Sequence, residues 1–256
     1  MKIINKSIKN SFGELLQAKL YMPNKENFSN FPLVIMLTGD GPSGSKSLSW
    51  TKLTPMLAEK NIASLTFDFS GLGDSEGNRK KLTLEKGIDD FKSILKLLNT
   101  LSCIDLERIG VLSSSFGSSV VIASGELRNV KAHGFKSPCA FLPEAYLNEI
   151  HPESFSKWNE EGYCDENGYN IEVLYNPIKY NIYSEAAHFS SSCLITHGLN
   201  DEIVPFRQSQ LLEHQFLQNS KSVELILLQS CDHGYSQDGK WDIMAKHFIE
   251  FFSEML

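Results

Sequence analysis

Three residues of the sequence have the types and the order needed for nucleophilic catalysis. Ser115 lies in the stretch SSSFG, Asp201 in HGLNDEIVP and His233 in CDHG. A serine hydroxyl is a poor nucleophile unless an imidazole takes its proton, and the imidazole needs a carboxylate to fix its tautomer and stabilise its charge. The pattern therefore predicts acyl transfer, with Ser115 as nucleophile, His233 as base and then acid, and Asp201 as the residue that orients His233.

The serine-rich stretch leaves the choice of nucleophile open. Ser113 and Ser114 compete with Ser115, although only Ser115 is followed two residues later by a glycine, Gly117. In the GxSxG elbow the serine lies on a tight turn between a strand and a helix, and small neighbours are needed there. Here a serine replaces the first glycine, which weakens the motif.

The acid and the base also have simpler interpretations. Asp201 could cap the helix that begins near Pro205, since Asp favours helix starts and Pro favours the first turn. His233 could be an ordinary loop histidine. We expect His197 to be a hydrogen-bonding residue of the acid loop rather than a catalyst.

The segments around these residues predict an α/β fold with a mostly parallel sheet. Short apolar runs alternate with helical patterns, which is typical of βαβ units. The strand candidates are FPLVIMLT, IASLTFDF, RIGVLSS, VKAHGF, SCLITHG and VELILLQ. Ser115, Asp201 and His233 each follow one of these strands, and the carboxyl ends of parallel strands are where open α/β sheets bind ligands.

Two helices and one insertion complete the predicted organisation. Apolar residues at steps of three and four predict a helix from Leu84 to Leu98 and a closing helix in KWDIMAKHFIEFFSEML. Residues 140–188 show no clean period, and a loop of that length is improbable in a compact domain. We therefore predict an inserted segment with structure of its own, including a β-hairpin at DENGY because Asn-Gly favours two-residue hairpin turns.

With these motifs in order, the chain resembles the α/β-hydrolases over nearly its full length. The similarity is to small capped carboxylesterases, which include the cinnamoyl and feruloyl esterases and the serine-aminopeptidase-like hydrolases. It rests on FDFSGLGDSEG, on HGLNDEIVP, which is close to the family's HGxxDxxVP loop, and on DHG. The resemblance implies a hydrolase core at residues 1–139 and 189–256, with helices on both faces of the sheet, and a cap at residues 140–188.

The same resemblance implies the remaining site residues. The stretch TGDGP would be the oxyanion loop, so the backbone amides of Asp40 and Phe116 would stabilise the tetrahedral intermediate. Cap aromatics would face the site, with Trp158, Tyr163 and Tyr169 as candidates for substrate binding. The implied substrate is a small carboxylic ester with an apolar or aryl acyl group, and an amide or a thioester would use the same machinery. No cofactor is implied.

Position 40 carries a carboxylate that the oxyanion loop does not need. Charges interact strongly in a site that contains little water, so an inward-pointing Asp40 would repel the developing oxyanion. We expect Asp40 to point outward or to bind a substrate cation. Thr38, Asp40 and Ser113 depart from the common family pattern, which keeps open a catalytically silent relative that binds a small molecule or a protein.

A nucleotide hydrolase is a further alternative. Gly39 and Gly44 have the spacing of a phosphate-binding loop, and Asp68 ends a buried run as a magnesium-holding residue would. However, Lys46 comes one residue late, and this alternative leaves Ser115, Asp201 and His233 unexplained. We expect Asp68 and the glycines at 71, 73 and 77 to be structural.

The composition limits which binding partners and which cellular locations we expect. The formal net charge of −7 without basic clusters argues against nucleic acid and anionic membranes. The N-terminal stretch MKIINKSIKNSFGE is too polar for a signal peptide, and no apolar run approaches the roughly 20 residues of a membrane span, so we expect a cytoplasmic protein. The five scattered cysteines predict free thiols, and no histidine pair has the HExxH spacing of a metal site.

Overall fold

The polypeptide folds around one eight-stranded sheet. The computed structural model describes residues 1–24, 30–151, 154–164 and 169–256. In chain order the strands are β1 (Lys2–Lys9), β2 (Leu15–Met22), β3 (Phe31–Leu37), β4 (Ala63–Phe67), β5 (Ile104–Ser115), β6 (Ala132–Pro138), β7 (Tyr163–Cys164), β8 (Tyr169–Asn170), β9 (Ser192–Gly198) and β10 (Ser222–Leu228). All but β7 and β8 form the sheet, in the order β1-β2-β4-β3-β5-β6-β9-β10. Strands β1 and β2 are antiparallel, and the other six run parallel to one another.

The predicted α/β architecture is confirmed. The six apolar runs singled out in the sequence form β3, β4, β5, β6, β9 and β10. Strands β3, β4 and β9 are buried along their whole length, as a sheet that is covered on both faces requires. The hairpin β1–β2 was not predicted from the sequence.

Helices cover both faces of the sheet. They are α1 (Leu48–Glu59), α2 (Leu84–Leu95), α3 (Phe116–Ser124), α4 (Leu142–Glu149), α5 (Phe155–Glu161), α6 (Glu172–Tyr175), α7 (Ile182–Ala186), α8 (Arg207–Phe216) and α9 (Lys240–Met255). Helices α1 and α9 pack together on one face, while α2 and α3 pack together on the other. The Thr83 hydroxyl caps the predicted helix α2 by accepting a hydrogen bond from the Lys86 amide.

The inserted segment, residues 140–188, holds α4 to α7 and the antiparallel pair β7–β8. The turn of the predicted hairpin, residues 165–168, lies outside the described residues. Buried side chains of the segment, among them Tyr146, Trp158 and Val173, belong to the same hydrophobic cluster as side chains of β3 and α2. The segment is thus packed continuously with the rest of the chain. Its separation from residues 1–139 and 189–256 as a cap remains a prediction.

The described structure also bears on the state of the cysteines and on membrane-spanning helices. Cys103, Cys139, Cys193 and Cys231 are free thiols, whereas the side chain of Cys164 is outside the described part of the structure. Within the described ranges, no helix is both long enough and apolar enough to cross a membrane.

The sheet brings the three candidate residues to one edge. Ser115 is the last residue of β5 and pairs with Pro138 at the end of β6. Strands β9 and β10 end together, with Gly198 opposite Leu228. Asp201 and His233 follow these two strands within five residues, so all three lie at the carboxyl edge of the parallel strands.

Candidate active site

Ser115 lies on a strained turn between β5 and α3. Its backbone has φ 49° and ψ −120°, a positive φ that residues other than glycine rarely adopt. The turn is crowded, because a methyl group added at Gly117 would lie 2.4 Å from the carbonyl oxygen of Thr38. Backbone strain of this kind persists only where the surrounding structure enforces it, and it is concentrated at functional sites.

The neighbouring serines occupy different environments. Ser113 is completely buried, and its hydroxyl is 3.0 Å from that of Ser118. This contact explains how a serine can take the place of the first glycine of the elbow, because its polar atom is satisfied inside the core. Ser114 borders the same pocket as Ser115, but it still belongs to the regular part of β5.

Asp201 and His233 form a hydrogen-bonded pair. The Nδ1 atom of His233 is 2.7 Å from Oδ2 of Asp201. The other carboxylate oxygen, Oδ1, accepts hydrogen bonds from the backbone amides of Ile203 and Val204 at 3.0 and 2.8 Å. The Asp201 side chain is fully buried, whereas 21% of the His233 side chain is exposed. The pair therefore has a fixed, buried acid and a base that reaches the pocket.

A second histidine, His197, also contacts the carboxylate of Asp201. The Nε2 atom of His197 lies 2.9 Å from Oδ2 of Asp201, and its Nδ1 lies 2.6 Å from the Ser209 hydroxyl. Burial raises the pKa of the Asp201 carboxyl, but hydrogen bonds from His197 and His233 outweigh it and hold that pKa well below its usual range. Asp201 is thus ionised at neutral pH, and His197 has the supporting position that we expected for it.

The loop after β3 places Asp40 beside Ser115. A methyl group added at Gly39 would lie 3.4 Å from Cβ of Ser115, which shows how closely the two backbones approach. Asp40 and Phe116 both line the pocket that Ser115 faces. Asp40 is half-buried, and its carboxylate is turned toward α4, where Oδ2 accepts a hydrogen bond of 2.9 Å from the Tyr146 hydroxyl.

Asp68 fixes the same loop by accepting hydrogen bonds from backbone amides. Its carboxylate accepts hydrogen bonds from the amides of Ser45 and Asp74 at 2.6 and 2.9 Å, and the side chain is buried. It fills the space beside Gly44, where an added methyl group would lie 2.4 Å from Oδ1. A carboxylate at this place would repel a phosphate, and Lys46 bonds to Asp74 instead. The loop therefore does not have the geometry of a nucleotide site.

One cavity of about 510 Å³ joins these residues. Ser115, His233, Asp40 and Phe116 line it, together with Tyr169 from the inserted segment. Within the described residues no hydrogen bond joins Ser115 Oγ to His233, and catalytic hydrogen bonds are often long before substrate binds. The cavity size is within the usual range for small-molecule sites.

The other two predicted substrate-binding residues have different positions. Trp158 is fully buried in the hydrophobic core and packs edge-on against Phe155, with ring centroids 6.2 Å apart. It is absent from the described lining of the cavity, since its ring points into the core. Tyr163 begins β7, and its side chain lies outside the described part of the structure.

Comparison with known families identifies the family of the chain. The sequence model of the prolyl oligopeptidase family matches residues 51–256, a range that includes Ser115, Asp201 and His233. The chain belongs to the prolyl oligopeptidase family. With that family it belongs to the serine hydrolases of the α/β-hydrolase fold, as the sequence motifs predicted.

A solved esterase structure is similar to the chain from end to end. Est1E from Butyrivibrio proteoclasticus, solved with ferulic acid bound, superposes with a TM-score of 0.83 at 25% identity, and the match covers 98% of each chain. This member of the prolyl oligopeptidase family therefore shares its fold with Est1E over 98% of the chain.

Curated relatives match shorter stretches. The quorum-quenching protein AidA of Acinetobacter baumannii is 31% identical over 136 residues, which are 49% of this chain and 43% of that protein. The human mitochondrial palmitoyl-protein thioesterase ABHD10 is 27% identical over 203 residues, which are 75% of this chain and 62% of that protein. The chain thus spans less than two thirds of the length of either relative.

The cavity of this family member also contains polar residues that the sequence patterns did not single out as site residues. Lys136 from the end of β6 is 6% exposed and lines the cavity, and burial lowers its pKa to about 8. Glu149 and Tyr146 come from α4, and Arg79 comes from the chain after β4. Burial and then the charge of Asp40 raise the pKa of Glu149 to about 7. Only Lys136 carried a recognisable signal, as a charged residue directly after the run VKAHGF, and it lies within β6.

Proposed function

We propose that the protein is a carboxylesterase that works through an acyl-enzyme on Ser115. The observation that carries this proposal is the Asp201–His233 hydrogen bond of 2.7 Å, whose histidine faces the cavity that holds the strained Ser115. A buried carboxylate, an imidazole and a hydroxyl on a strand-to-helix turn are the three groups that acyl transfer requires.

The proposed reaction has two halves. In the first, Ser115 Oγ attacks the acyl carbon while His233 Nε2 takes the hydroxyl proton, and His233 then returns this proton to the leaving alcohol. In the second, a water molecule gives a proton to His233 and attacks the acyl carbon. The bond from the acyl carbon to Ser115 Oγ then breaks, and His233 passes the proton to Oγ, which releases the acid and restores the Ser115 hydroxyl. Asp201 keeps a proton on Nδ1 of His233 and stabilises the imidazolium that forms in both halves.

The oxyanion would be stabilised by two backbone amides. The amide of Phe116 lies at the start of α3, where a helix has unpaired N–H groups and a partial positive charge. The amide of Asp40 belongs to the loop that passes beside Ser115. Removing one such donor from an oxyanion hole typically costs about 10²- to 10³-fold in kcat, so the position of this loop has a large effect on the rate.

The substrate class follows from the cavity and from the relatives. Tyr169 and Tyr146 contribute aromatic surface to the cavity, and Est1E binds ferulic acid, which favours an ester with an aryl or apolar acyl group. The similarity to ABHD10 favours a thioester as the second candidate. Rates on an ester and a thioester with the same acyl group would distinguish the two.

Labelling with a fluorophosphonate probe, followed by peptide mass spectrometry, tests the proposal. Such a probe requires an activated serine and a working oxyanion hole, so we expect an adduct on Ser115 and none in Ser115→Ala. Ser113→Ala is the matched control and should still be labelled. An adduct on Ser114 would show that Ser115 is not the nucleophile. A folded protein that is neither labelled nor active on any p-nitrophenyl ester would favour the silent binding protein.

A further inference from the structure

Asp40 is held by two parts of the chain at once. Its backbone carbonyl accepts a hydrogen bond of 2.9 Å from Nε of Arg79. Its carboxylate accepts the hydrogen bond of 2.9 Å from Tyr146. One contact fixes the peptide that follows Asp40, and the other fixes the direction of its side chain.

Tyr169 links these two contacts. The guanidinium of Arg79 lies over the Tyr169 ring, 4.5 Å from the centroid. The rings of Tyr146 and Tyr169 pack against each other with centroids 4.6 Å apart. Tyr146 and Tyr169 are 4% and 5% exposed, whereas Asp40 and Arg79 are half-buried, so the tyrosine side of each contact is shielded from water. Both tyrosines belong to the inserted segment, whereas Asp40 belongs to the loop after β3.

The direction of the Asp40 carboxylate matters because its own amide is a proposed oxyanion donor. A negative charge that turned toward the reacting centre would oppose the negative charge that develops on the substrate oxygen. Tyr146 is a neutral donor, so its hydrogen bond fixes the direction of the carboxylate but leaves the negative charge in place. Burial raises the pKa of the Tyr146 hydroxyl, and the charge of Asp40 raises it further, so the hydroxyl stays protonated.

We propose that Tyr146 is a positioning residue that holds the Asp40 carboxylate away from the oxyanion, so that the inserted segment takes part in setting the reaction rate. This inference rests on the proposed function, because it requires the Asp40 amide to be an oxyanion donor. Arg79 assists by fixing the Asp40 carbonyl.

A double-mutant cycle between Tyr146→Phe and Asp40→Asn tests the inference. Tyr146→Phe keeps the ring and its contact with Tyr169 but releases the carboxylate. On a neutral activated ester we expect kcat and the rate of fluorophosphonate labelling to fall by about 10- to 100-fold, with KM nearly unchanged, because the loss concerns the transition state. Asp40→Asn has no charge to restrain, so adding Tyr146→Phe to it should cost less than about threefold, a coupling that independent sites do not show.

The matched control is Tyr175→Phe, which removes the hydroxyl of an exposed tyrosine in the same segment and should leave both rates unchanged. Equal losses from Tyr146→Phe in the two backgrounds would overturn the inference, since a packing role does not depend on the Asp40 charge. A Tyr146→Phe protein within twofold of the wild type would overturn it as well. A wild-type protein with neither labelling nor turnover would instead overturn the proposed function, and this inference with it.

Discussion

Replacing Lys136 with methionine should change how the stability of the protein depends on pH. Lys136 is almost completely buried at the floor of the cavity. Its ammonium lies 4.6 Å from the centroid of the Tyr235 ring and donates a hydrogen bond of 3.4 Å to the carbonyl of His233. These contacts and the nearby charge of Asp201 do not compensate for burial, which lowers the pKa of Lys136 to about 8.

The size of the effect follows from this shift. The pKa falls from 10.5 to about 8, so keeping Lys136 charged in the folded protein costs about 3 kcal/mol at 1.36 kcal/mol per pKa unit. Between these two pH values the unfolded chain binds a proton that the folded protein has lost, and stability therefore rises with pH. Methionine binds no proton. As pH rises from about 7 to 10.5, the free energy of unfolding of the wild type should therefore increase by about 3 kcal/mol relative to that of Lys136→Met.

Urea unfolding at pH 7, 8, 9 and 10, followed by tryptophan fluorescence, measures this difference. Other groups that titrate in the range are present in both proteins, and their effects cancel when the two curves are subtracted. Lys246→Met is the matched control, because that lysine is exposed on α9, and its difference from the wild type should not change with pH. A constant difference between the wild type and Lys136→Met across the range would refute the reasoning.

Three further predictions concern the site. Asp201→Asn should lower kcat by roughly 10⁴-fold on an activated ester, and a loss below tenfold in folded protein would contradict Asp201 as the acid. Gly117→Ala should destabilise the protein by about 1–3 kcal/mol in thermal unfolding, because the new methyl group would meet the Thr38 carbonyl; Gly41→Ala has open space and should be neutral. The pKa of Glu149 in the folded protein is raised to about 7, so its ionisation lowers the free energy of unfolding as pH rises from about 4.5 to 7. Over that range the free energy of unfolding of Glu149→Gln should therefore rise relative to that of the wild type.

The sequence predicted the positions of Ser115, Asp201 and His233 because each follows a strand that is recognisable as an apolar run. Parallel strands carry their carboxyl ends to one edge, so residues far apart in the chain meet there without any local signal. The hairpin β1–β2 was missed for a related reason. The side chains of its strands alternate instead of forming continuous apolar runs: β1 alternates exposed and half-buried residues, and most of β2 alternates half-buried and buried ones.

The cavity wall could not be predicted in the same way. Tyr146, Glu149 and Tyr169 reach the cavity through the packing of the inserted segment, where no regular period fixes which side chain points inward. Trp158 shows the difficulty, since it has the same aromatic character as Tyr169 but packs into the core. Composition indicated an aromatic segment, and long-range contacts decided which aromatic residues face the cavity.

The roles of Asp40 and Tyr146 depend on each other. A carboxylate beside an oxyanion amide would by itself oppose the proposed reaction, and a buried tyrosine hydroxyl would by itself lack a partner. The hydrogen bond between them removes both costs and connects the inserted segment to the loop beside Ser115. Under the proposed mechanism, substitutions in α4 should therefore change kcat as well as substrate preference, whereas a segment that only covered the cavity would change substrate preference alone.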